Sequence, residues 1–375
     1  MFNLDKNIKT ILESIEKEGF EAYVVGGYVR DYIRGVASTD VDICTNALPK
    51  DLKDIFKNGN SRNDIYGSYK ITTNKYNFDI TTYREELKYE GRRPTEIAYV
   101  DNLITDIKRR DFTINALCMN KEGKIIDLLN GKEDIDNKRI RVIGSVEDKL
   151  SEDPLRMLRA LRFGITLDFA IEAEIINFIK EHTDLIKTLS LTRKKYELDC
   201  ILVSQYALKG LDLIKKLDLN EALGIWYNNV IYSNDISAMW AQIETDESMF
   251  TKEEKELINS LREIISYGKI DNYVLYKYGL YLCSVAGSVL NIDVVKINEM
   301  FNTLPITNIK DIAITTQEIL NLFNIKPSKV IKEIFESIKN SILNGDIINE
   351  KEEIINYLNA NKAVWINGSS SIIVK

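Results

Sequence analysis

The sequence predicts an α+β protein whose first part carries a small mixed sheet and whose remainder is an elongated, all-α region. Up to about residue 130, short β-type alternation is mixed with helical spacing, whereas from Val146 onward most apolar residues recur at intervals of three and four. At 375 residues and 45% apolar content, the chain exceeds what one hydrophobic core usually organises. We expect four domains, over residues 1–140, 141–210, 211–305 and 306–375.

Composition excludes several classes of function. The net charge of −7 argues against a uniformly basic nucleic-acid wrapper but leaves room for a local basic stripe. Four dispersed cysteines without a CxxC pair indicate neither a disulfide framework nor a zinc ribbon, which favours a cytoplasmic protein. The single histidine, His182, excludes Ser-His-Asp triads and His-rich zinc sites. No apolar run reaches membrane length and the first residues do not resemble a signal peptide, so we expect no membrane association.

The first elements follow from apolar spacing and glycine. An amphipathic helix is predicted over residues 5–18, and a strand over 22–25 that ends in Gly26-Gly27. A helix over 28–33 and a half-buried strand over 39–44 come next.

The following segments are less regular. Pro49 predicts the start of a short helix through Phe56, and alternation on both sides of residues 74–75 predicts a hairpin over 68–83. Residues 85–96 read as a polar loop, and a helix is predicted from Asp111 through Ala116.

Asp40 and Asp42 lie two residues apart on a predicted strand, so both carboxylates project from one face. Such a pair can hold two Mg²⁺ ions roughly 3.5–4 Å apart, which suits a nucleoside triphosphate as substrate. Asp79 is a candidate third carboxylate if its strand pairs beside that of Asp42. The alternative for each of these aspartates is an ordinary solvent-facing strand residue.

Gly26-Gly27 ends a strand and begins a helix, which leaves backbone N–H groups free for a triphosphate, and Arg30 follows about one turn later. An ordinary tight turn with a surface arginine is the competing interpretation. Asp111 and Asn115 are four residues apart and can grip a ribose together, while an arginine neutralises phosphate. Asp111 could instead be a simple helix cap.

Residues 152–163 predict a helix with a cationic face formed by Arg156, Arg159 and Arg162 and an apolar face opposite to it. Asp153 borders the cationic face, so a carboxylate and a guanidinium can present an acceptor and donors side by side to a base edge. The alternative is a helix cap at Asp153 followed by a solvated arginine face.

Taken together, four motifs resemble those of the bacterial class II CCA-adding tRNA nucleotidyltransferase and poly(A) polymerase family. They are Gly26-Gly27-Tyr28-Val29-Arg30-Asp31, Asp40-Val41-Asp42, Arg109-Arg110-Asp111-Phe112-Thr113-Ile114-Asn115-Ala116 and Glu152-Asp153-Pro154-Leu155-Arg156. The resemblance implies a polymerase-β-like nucleotidyltransferase head, then a helical neck, body and tail. It also implies two-metal transfer of nucleotides from CTP and ATP to the 3′ end of tRNA, with Mg²⁺ as cofactor.

The resemblance further implies roles for single residues. Asp40 and Asp42 would bind the metal ions. Gly26, Gly27 and Arg30 would receive the triphosphate, and Arg110, Asp111 and Asn115 would hold sugar and phosphates. Asp153 and Arg156 would act as a protein template for the base, with Arg159 and Arg162 nearby, so that side chains rather than a nucleic acid select the nucleotide. Each of these roles rests on a match to the family motif at that position.

Two features choose within the family. Residues 164–170 carry no basic residue, whereas poly(A) polymerases of this group have an arginine-rich signature there, which favours CCA addition. Gly91-Arg92-Arg93-Pro94 resembles the loop that accompanies ATP acceptance. The sequence also departs from the family where Thr192, rather than a glutamate, precedes Arg193. An A-adding enzyme, a poly(A) polymerase and a catalytically silent RNA-binding relative remain the alternatives.

The RNA partner is expected on the helical half. The family implies tRNA contacts there, and two groups of basic residues are candidates for phosphate binding: Arg193, Lys194, Lys195 and Lys326, Lys329, Lys332. Lysine runs on helices are more often solvent-facing, which is the competing interpretation. No motif indicates an obligate protein partner.

Overall fold

The computed structural model describes residues 4–57, 60–63, 67–90, 93–362 and 365, which form two compact units that meet between Ile225 and Trp226. The first unit contains, in chain order, α1 (Lys6–Lys17), β1 (Ala22–Val25), α2 (Gly27–Ile33), β2 (Asp40–Thr45), α3 (Pro49–Ile55), β3 (Asn60–Asn63), β4 (Ser68–Thr72), β5 (Asn77–Thr82), β6 (Arg84–Glu90), β7 (Arg93–Tyr99), α4 (Leu103–Lys108), β8 (Cys118–Met119), β9 (Ile125–Ile126), α5 (Gly131–Asp136), β10 (Arg139–Ile140), α6 (Val146–Glu152), α7 (Leu155–Leu167), β11 (Ala170–Ile171), α8 (Ala173–Glu181), α9 (Thr183–Lys187), α10 (Leu191–Leu202), α11 (Ala207–Lys216) and α12 (Asn220–Leu223).

A mixed sheet organises the first unit, with the strand order β3-β4-β5-β2-β1-β8-β9. The predicted strands at 22–25 and 39–44 are confirmed as β1 and β2, which pair antiparallel, with Val25 opposite Asp42. The predicted helices at 5–18 and 28–33 are confirmed as α1 and α2. Buried side chains from β1, β2 and β8, among them Cys44 and Cys118, form the core beneath the sheet.

The hairpin predicted over residues 68–83 is confirmed as β4 and β5. Strand β5 then pairs in parallel with β2, and this register sets Asp79 opposite Asp42. A parallel neighbour needs a crossover connection, which here is the chain from Thr45 through α3 and the hairpin. The pairing therefore brings together carboxylates that are 37 residues apart in the chain.

Two local predictions are wrong. Residues 85–96 are not a polar loop but the antiparallel ribbon of β6 and β7, a hairpin outside the main sheet. Its alternating charged residues hide the strand pattern, and its tip, Gly91 and Arg92, lies outside the described residues. The helix predicted from Asp111 is a single 3₁₀ turn over Thr113–Asn115 that follows α4. Here Thr113 N–H donates to Arg141 O (3.1 Å) rather than within a helix.

The arginine-bearing segment predicted at residues 152–163 is divided between two helices. Helix α6 ends at Glu152, and α7 begins at Leu155 after Asp153, whose carboxylate accepts the Leu155 N–H (3.1 Å). The predicted apolar face of α7 is buried. Gly164 allows the close approach of β11, because a Cβ there would lie 2.5 Å from Ile171 Cγ1.

The second unit is mainly helical over its described residues. After the short strand β12 (Ile225–Trp226) at the junction, its elements are α13 (Ile236–Ala241), β13 (Glu244–Thr245), α14 (Lys252–Tyr267), α15 (Asn272–Leu290), α16 (Val294–Asn302), α17 (Thr316–Phe323), α18 (Lys329–Asn344) and α19 (Lys351–Ala360). Two buried clusters hold it together, one among α14, α15 and α16 and one among α17, α18 and α19. The α+β fold with a helical remainder is confirmed, while the four-domain division stays a prediction.

Two further observations concern the environment of the protein. All four cysteines are free thiols, as expected from their spacing. Within the described ranges, no helix combines the length and apolar composition needed to cross a bilayer.

The tight contact of α5 with the 3₁₀ turn predicts that Gly131→Ala destabilises the first unit. A Cβ at Gly131 would lie 2.2 Å from the Thr113 carbonyl oxygen, which is backbone and cannot swing away. Overpacking of this kind costs about 1–3 kcal/mol, more than the helix propensity that alanine adds.

Thermal unfolding followed by circular dichroism would measure the effect. Lys132→Ala is the matched control, because Lys132 is exposed on the same helix. A melting temperature of Gly131→Ala equal to that of the control would contradict the predicted clash.

Candidate active site

One polar cleft gathers most of the residues that the sequence singled out. It has a volume of about 510 Å³, and it lies among the β1–α2 turn, β2, the 3₁₀ turn and α7. The described residues that line it are Gly26, Gly27, Arg30, Asp42, Arg84, Glu86, Arg109, Arg110, Asp111, Asn115, Asp153, Arg156, Arg159, Arg162 and Phe163. Arginines outnumber carboxylates in this set, so the cleft favours a polyanionic ligand in a chain of net negative charge.

The carboxylates of Asp40 and Asp42 project from the exposed face of β2, while Val41 and Ile43 point into the core. Asp42 lines the cleft, and Asp40 lies just outside its lining. Protein atoms crowd the Asp42 carboxylate although its side chain keeps an exposed edge. This desolvation raises the pKa of Asp42 above its ordinary value, and the charge of Arg110 opposes the shift.

Asp79 faces the same side as Asp42 from the neighbouring strand, but its carboxylate is occupied. Ser68 Oγ donates to Asp79 Oδ1 (2.5 Å), and Lys70 Nζ lies 3.1 Å from Oδ2. Among the described residues, no cluster of three or more His, Cys, Asp or Glu side chains is arranged to hold a metal ion. The predicted position of Asp79 is thus observed, whereas its role as a third ligand stays a prediction.

Gly26 is required by backbone and by space. Its φ of 81° lies in the region that favours glycine, and a Cβ there would lie 3.2 Å from Asp42 Oδ2. The sequence predicts a free N–H group at Gly26, and this prediction is wrong, because the Gly26 N–H donates to the Leu117 carbonyl (3.4 Å). The amides that face the cleft therefore begin at Gly27, in the first turn of α2, where helix geometry leaves N–H groups without an intrahelical partner.

Arg30 is almost fully buried and connects α2 to the 3₁₀ turn. Its Nε and Nη2 donate to the Asp31 carboxylate (3.0 and 2.8 Å), and its Nη1 donates to Asn115 Oδ1 (2.8 Å). The predicted pair of Asp111 and Asn115 is also brought together, since Asn115 Nδ2 lies 3.4 Å from Asp111 Oδ1. The 3₁₀ turn thus brings Asp111 and Asn115 into contact, as the predicted helix was expected to do.

Asp106 anchors two arginines from beneath the cleft. Its side chain is 0% exposed, and its two oxygens accept from Arg109 Nε (2.8 Å) and Arg110 Nη2 (3.1 Å). Burial raises the pKa of Asp106, but the charges of Arg110 and Arg109 outweigh burial and hold it below its ordinary value. Arg110 Nε is buried and has no hydrogen-bond partner within the described part of the chain, although the residue lines the cleft.

Asp111 is paired with α7 and is not a helix cap, because the cap position of the 3₁₀ turn is Phe112. Arg159 Nε donates to Asp111 Oδ2 (2.6 Å), and the Phe112 N–H donates to Oδ1 (2.8 Å). Burial raises the pKa of Asp111, and the Arg159 charge and these hydrogen bonds outweigh it, so the pKa lies below its ordinary value. The ion pair connects two motifs that are 48 residues apart.

Asp153 and Arg156 both line the cleft, as predicted for a base-reading pair. The Asp153 carboxylate also accepts the first N–H of α7, so the helix-start interpretation is confirmed at this residue, while its base-reading role stays a prediction. Arg156 Nη1 donates to Glu152 Oε2 (2.5 Å) and to the Lys149 carbonyl (2.9 Å). These contacts fix the guanidinium in the lining of the cleft.

Arg162 is held by a glutamate that the sequence analysis did not find. Its Nε lies 2.6 Å from Glu197 Oε2, and Glu197 is buried on α10. The glutamate of the family motif is absent before Arg193, where Thr192 stands. The same helix nevertheless supplies another acid, Glu197, to the arginine face. Burial raises the pKa of Glu197, and the Arg162 charge opposes this shift.

Sequence reasoning also missed four residues of the cleft lining, which are Arg84, Glu86, Arg109 and Phe163. Glu86 belongs to the segment predicted as a loop, and Arg84 directly precedes it. The Glu86 carboxylate contacts both Arg84 (2.8 Å) and Arg109 (3.5 Å). Arg109 begins the third motif, and Phe163 ends the predicted arginine-bearing helix, so the neighbours of these two residues in the sequence were the available signal.

This arrangement of sheet, carboxylates and arginine cleft is that of a nucleotidyltransferase, and comparison with known proteins agrees. Residues 22–141 match the model of the Poly A polymerase head domain. Residues 168–223 match a model described as an RNA and SrmB binding site of polymerase A, and residues 247–358 match domain 2 of tRNA nucleotidyltransferases.

The particular family follows from a curated relative. The chain is 31% identical to the CCA-adding enzyme of Bacillus cereus strain B4264, over 94% of this chain and 98% of the relative. The protein therefore belongs to the family of CCA-adding enzymes, which are tRNA nucleotidyltransferases.

Solved structures of related enzymes show the same fold. The CCA-adding enzyme of Bacillus stearothermophilus in complex with CTP superposes with a TM-score of 0.77 at 24% identity, covering 96% of this chain and 98% of that one. The CCA-adding enzyme of Thermotoga maritima, complexed with a CCA-bearing tRNA, gives 0.68 at 21% identity, covering 96% and 97%. Family membership also implies dependence on a divalent metal ion.

The buried position of Asp106 predicts that Asp106→Asn destabilises the first unit by about 3–5 kcal/mol, because two guanidinium groups lose their buried counter-charge. The folded-state pKa of Asp106 is depressed, so its contribution is complete above the unfolded pKa of about 3.9 and is lost as pH falls through the folded value.

Urea unfolding of the two proteins between pH 8 and about pH 3 would test both statements. The difference in unfolding free energy is expected to stay constant down to about pH 5 and to narrow below about pH 4. Asp101→Asn, an exposed aspartate nearby, is the control. A difference that grows on acidification would contradict the assignment.

Proposed function

We propose that this protein adds CMP, CMP and AMP to the 3′ end of tRNA, using CTP and ATP and no nucleic-acid template. The observation that carries the proposal is the meeting of three parts in one cleft: the Asp42 carboxylate, the arginines that suit a triphosphate, and the Asp153/Arg156 pair that suits a base. Curated relatives over nearly the full chain are CCA-adding enzymes, which supports the same reaction.

Asp40 and Asp42 are proposed to hold the divalent metal, and Mg²⁺ is the proposed ion because both donors are hard carboxylate oxygens. When bound, the metal supplies charge stabilisation for the attacking and leaving oxygens of nucleotidyl transfer. Asp79 places a further carboxylate opposite Asp42 on the neighbouring strand, and contacts with Ser68 and Lys70 hold its side chain in place.

The triphosphate is proposed to lie against α2 and Arg110. The first-turn amides from Gly27 onward and the guanidinium groups of Arg30 and Arg110 present donors to phosphate oxygens. Asp111 and Asn115 are proposed to contact the ribose. Their ties to Arg159 and Arg30 hold both side chains in place before a nucleotide arrives.

Base selection is assigned to Asp153 and Arg156. Cytosine and adenine both present an amino donor beside a ring-nitrogen acceptor, which complements a carboxylate acceptor and a guanidinium donor. Uracil and guanine present the reverse order, so they would leave buried polar groups unpaired at a cost of about 1–3 kcal/mol each. Arg156 has five N–H donors and can keep its contact with Glu152 while it donates to the base.

The tRNA is proposed to contact the helical region, with one correction to the candidate residues. Lys194 is buried and donates to the Ala222 carbonyl (2.8 Å), so it belongs to the packing of α10 rather than to a phosphate-binding face. Lys326, Lys329 and Lys332 are exposed and remain candidates. We also propose that the protein acts in the cytoplasm, which four free cysteines support.

The experiment that tests the reaction supplies CTP alone, ATP alone and both to tRNAs ending before C, after C and after CC. With both nucleotides, we expect the tRNA that lacks its 3′ end to gain C, C and A, after which extension stops. Addition of A only would indicate an A-adding enzyme, long homopolymeric tails on any RNA would indicate a poly(A) polymerase, and tRNA binding without addition would indicate a silent relative.

Asp42→Asn is expected to lower the addition rate by at least about a thousandfold, because the loss of several kcal/mol of charge stabilisation corresponds to three or more powers of ten. Affinity for tRNA, measured by filter binding, should stay near the wild-type value. Asp54→Asn, an exposed aspartate on α3, is the control and should retain normal rates. Normal rates in Asp42→Asn would refute the assignment.

Asp153→Asn separates base recognition from helix capping, because asparagine caps a helix as well as aspartate does. The amide can donate to the O4 of uracil, so the ratio of kcat/KM for CTP to that for UTP is expected to fall by about tenfold or more. Asp148→Asn on the neighbouring helix α6, where Asp148 is exposed, is the control. An unchanged ratio would contradict the proposed role of Asp153 in base selection.

A further inference from the structure

The Phe163 ring lies among three guanidinium groups in the lining of the cleft. The guanidinium carbons are 5.3 Å (Arg30), 5.2 Å (Arg159) and 4.1 Å (Arg162) from the ring centroid. Phe163 is 6% exposed, and Phe112 packs against it edge-on with the centroids 5.8 Å apart. Water is therefore largely excluded from the ring that these arginines share.

Each of the three arginines also has its own carboxylate. Arg30 Nη2 lies 2.8 Å from Asp31 Oδ2, Arg159 Nη2 lies 2.5 Å from Asp111 Oδ2, and Arg162 Nε lies 2.6 Å from Glu197 Oε2. The carboxylates come from α2, from the segment before the 3₁₀ turn and from α10, so each ion pair pulls its arginine toward a different element. The ring is the contact that all three guanidinium groups have in common.

Three like charges around one point repel one another, and low dielectric strengthens the repulsion. The face of a phenyl ring carries negative electrostatic potential and attracts a cation, more strongly when the pair is desolvated. An aliphatic side chain of similar volume would fill the same space without this attraction. The ring therefore does more than fill volume, because it offsets the repulsion among the arginines.

We propose that Phe163 is a positioning residue for nucleotide selection, which holds the triphosphate-facing Arg30 and the base-side Arg159 and Arg162 in one fixed arrangement. This inference rests on the proposed function of the cleft. The ring couples the two ends of the bound nucleotide, so a weaker ring potential loosens the arginines at both ends together. Phe163 itself makes no hydrogen bond and takes no proton.

Fluorination of the ring tests this role without changing its shape. Phenylalanine with one, two or three fluorines at position 163 progressively weakens the negative face, and the dissociation constant of CTP, measured by equilibrium dialysis without RNA, should rise stepwise to about tenfold. The preference for CTP over UTP should fall in parallel. An affinity that stays within about twofold across the series would overturn the proposal.

Two natural substitutions complete the experiment. Phe163→Leu should weaken CTP binding by about tenfold and raise KM by more than it lowers kcat, because ground-state positioning is lost. Phe178→Leu is the matched control: Phe178 is 5% exposed in the same unit, and its described ring contact is His182 rather than an arginine. An equal loss of CTP affinity in both variants would overturn the proposal, because Phe163 would then contribute only to the packing of the core.

The affinity measurement also separates this inference from the proposed function. If the wild-type protein binds CTP but does not extend tRNA, the proposed reaction fails while the fluorine series still tests the ring. If the wild-type protein extends tRNA and fluorination has no effect, the role of Phe163 fails and the reaction stands.

Discussion

The cleft depends on one constraint, which is that its arginines are buried or half-buried and need paired carboxylates. Asp106 anchors Arg109 and Arg110, and Asp111 anchors Arg159. An isolated charge in such a site would cost several kcal/mol, and removing one partner of a buried pair leaves the other uncompensated. The acids therefore compensate the buried guanidinium charges and orient these groups before an anionic ligand arrives. This explains how a protein of net charge −7 can build a cationic site.

Much of the local structure could be predicted because the decisive signals are short in range. The strands β2, β4 and β5 alternate clearly, and β1 is a short apolar run that ends at the turn marked by Gly26. The β6–β7 ribbon was missed because a two-stranded ribbon outside the main sheet can carry charges on both faces, which removes the apolar alternation that identifies a strand. The helix predicted from Asp111 is wrong because the Thr113 N–H of the turn donates to the Arg141 carbonyl, and no local spacing records that partner.

The site was predicted residue by residue where a motif carried it, and not where a partner from elsewhere completed it. Asp42 and Asp79 were placed together by a register that only the fold can set. Glu197 and Asp106 were invisible as site residues, because a buried acid on a helix looks like any other acid until its arginine is known. Composition pointed to carboxylates and arginines as the working groups, and the structure adds which acid belongs to which arginine.

Gly26 has a consequence for how this gene can change. Any missense substitution in a glycine codon adds at least one carbon, and at Gly26 that carbon would point at Asp42 Oδ2 from a backbone conformation that side chains disfavour. Even the smallest substitutions are disfavoured at this position, because the Cβ of alanine or serine makes the same close contact with Asp42 and has the same unfavourable φ as a larger residue. Inherited variation in this segment should therefore accumulate on the outer side of α2 and leave the turn itself untouched.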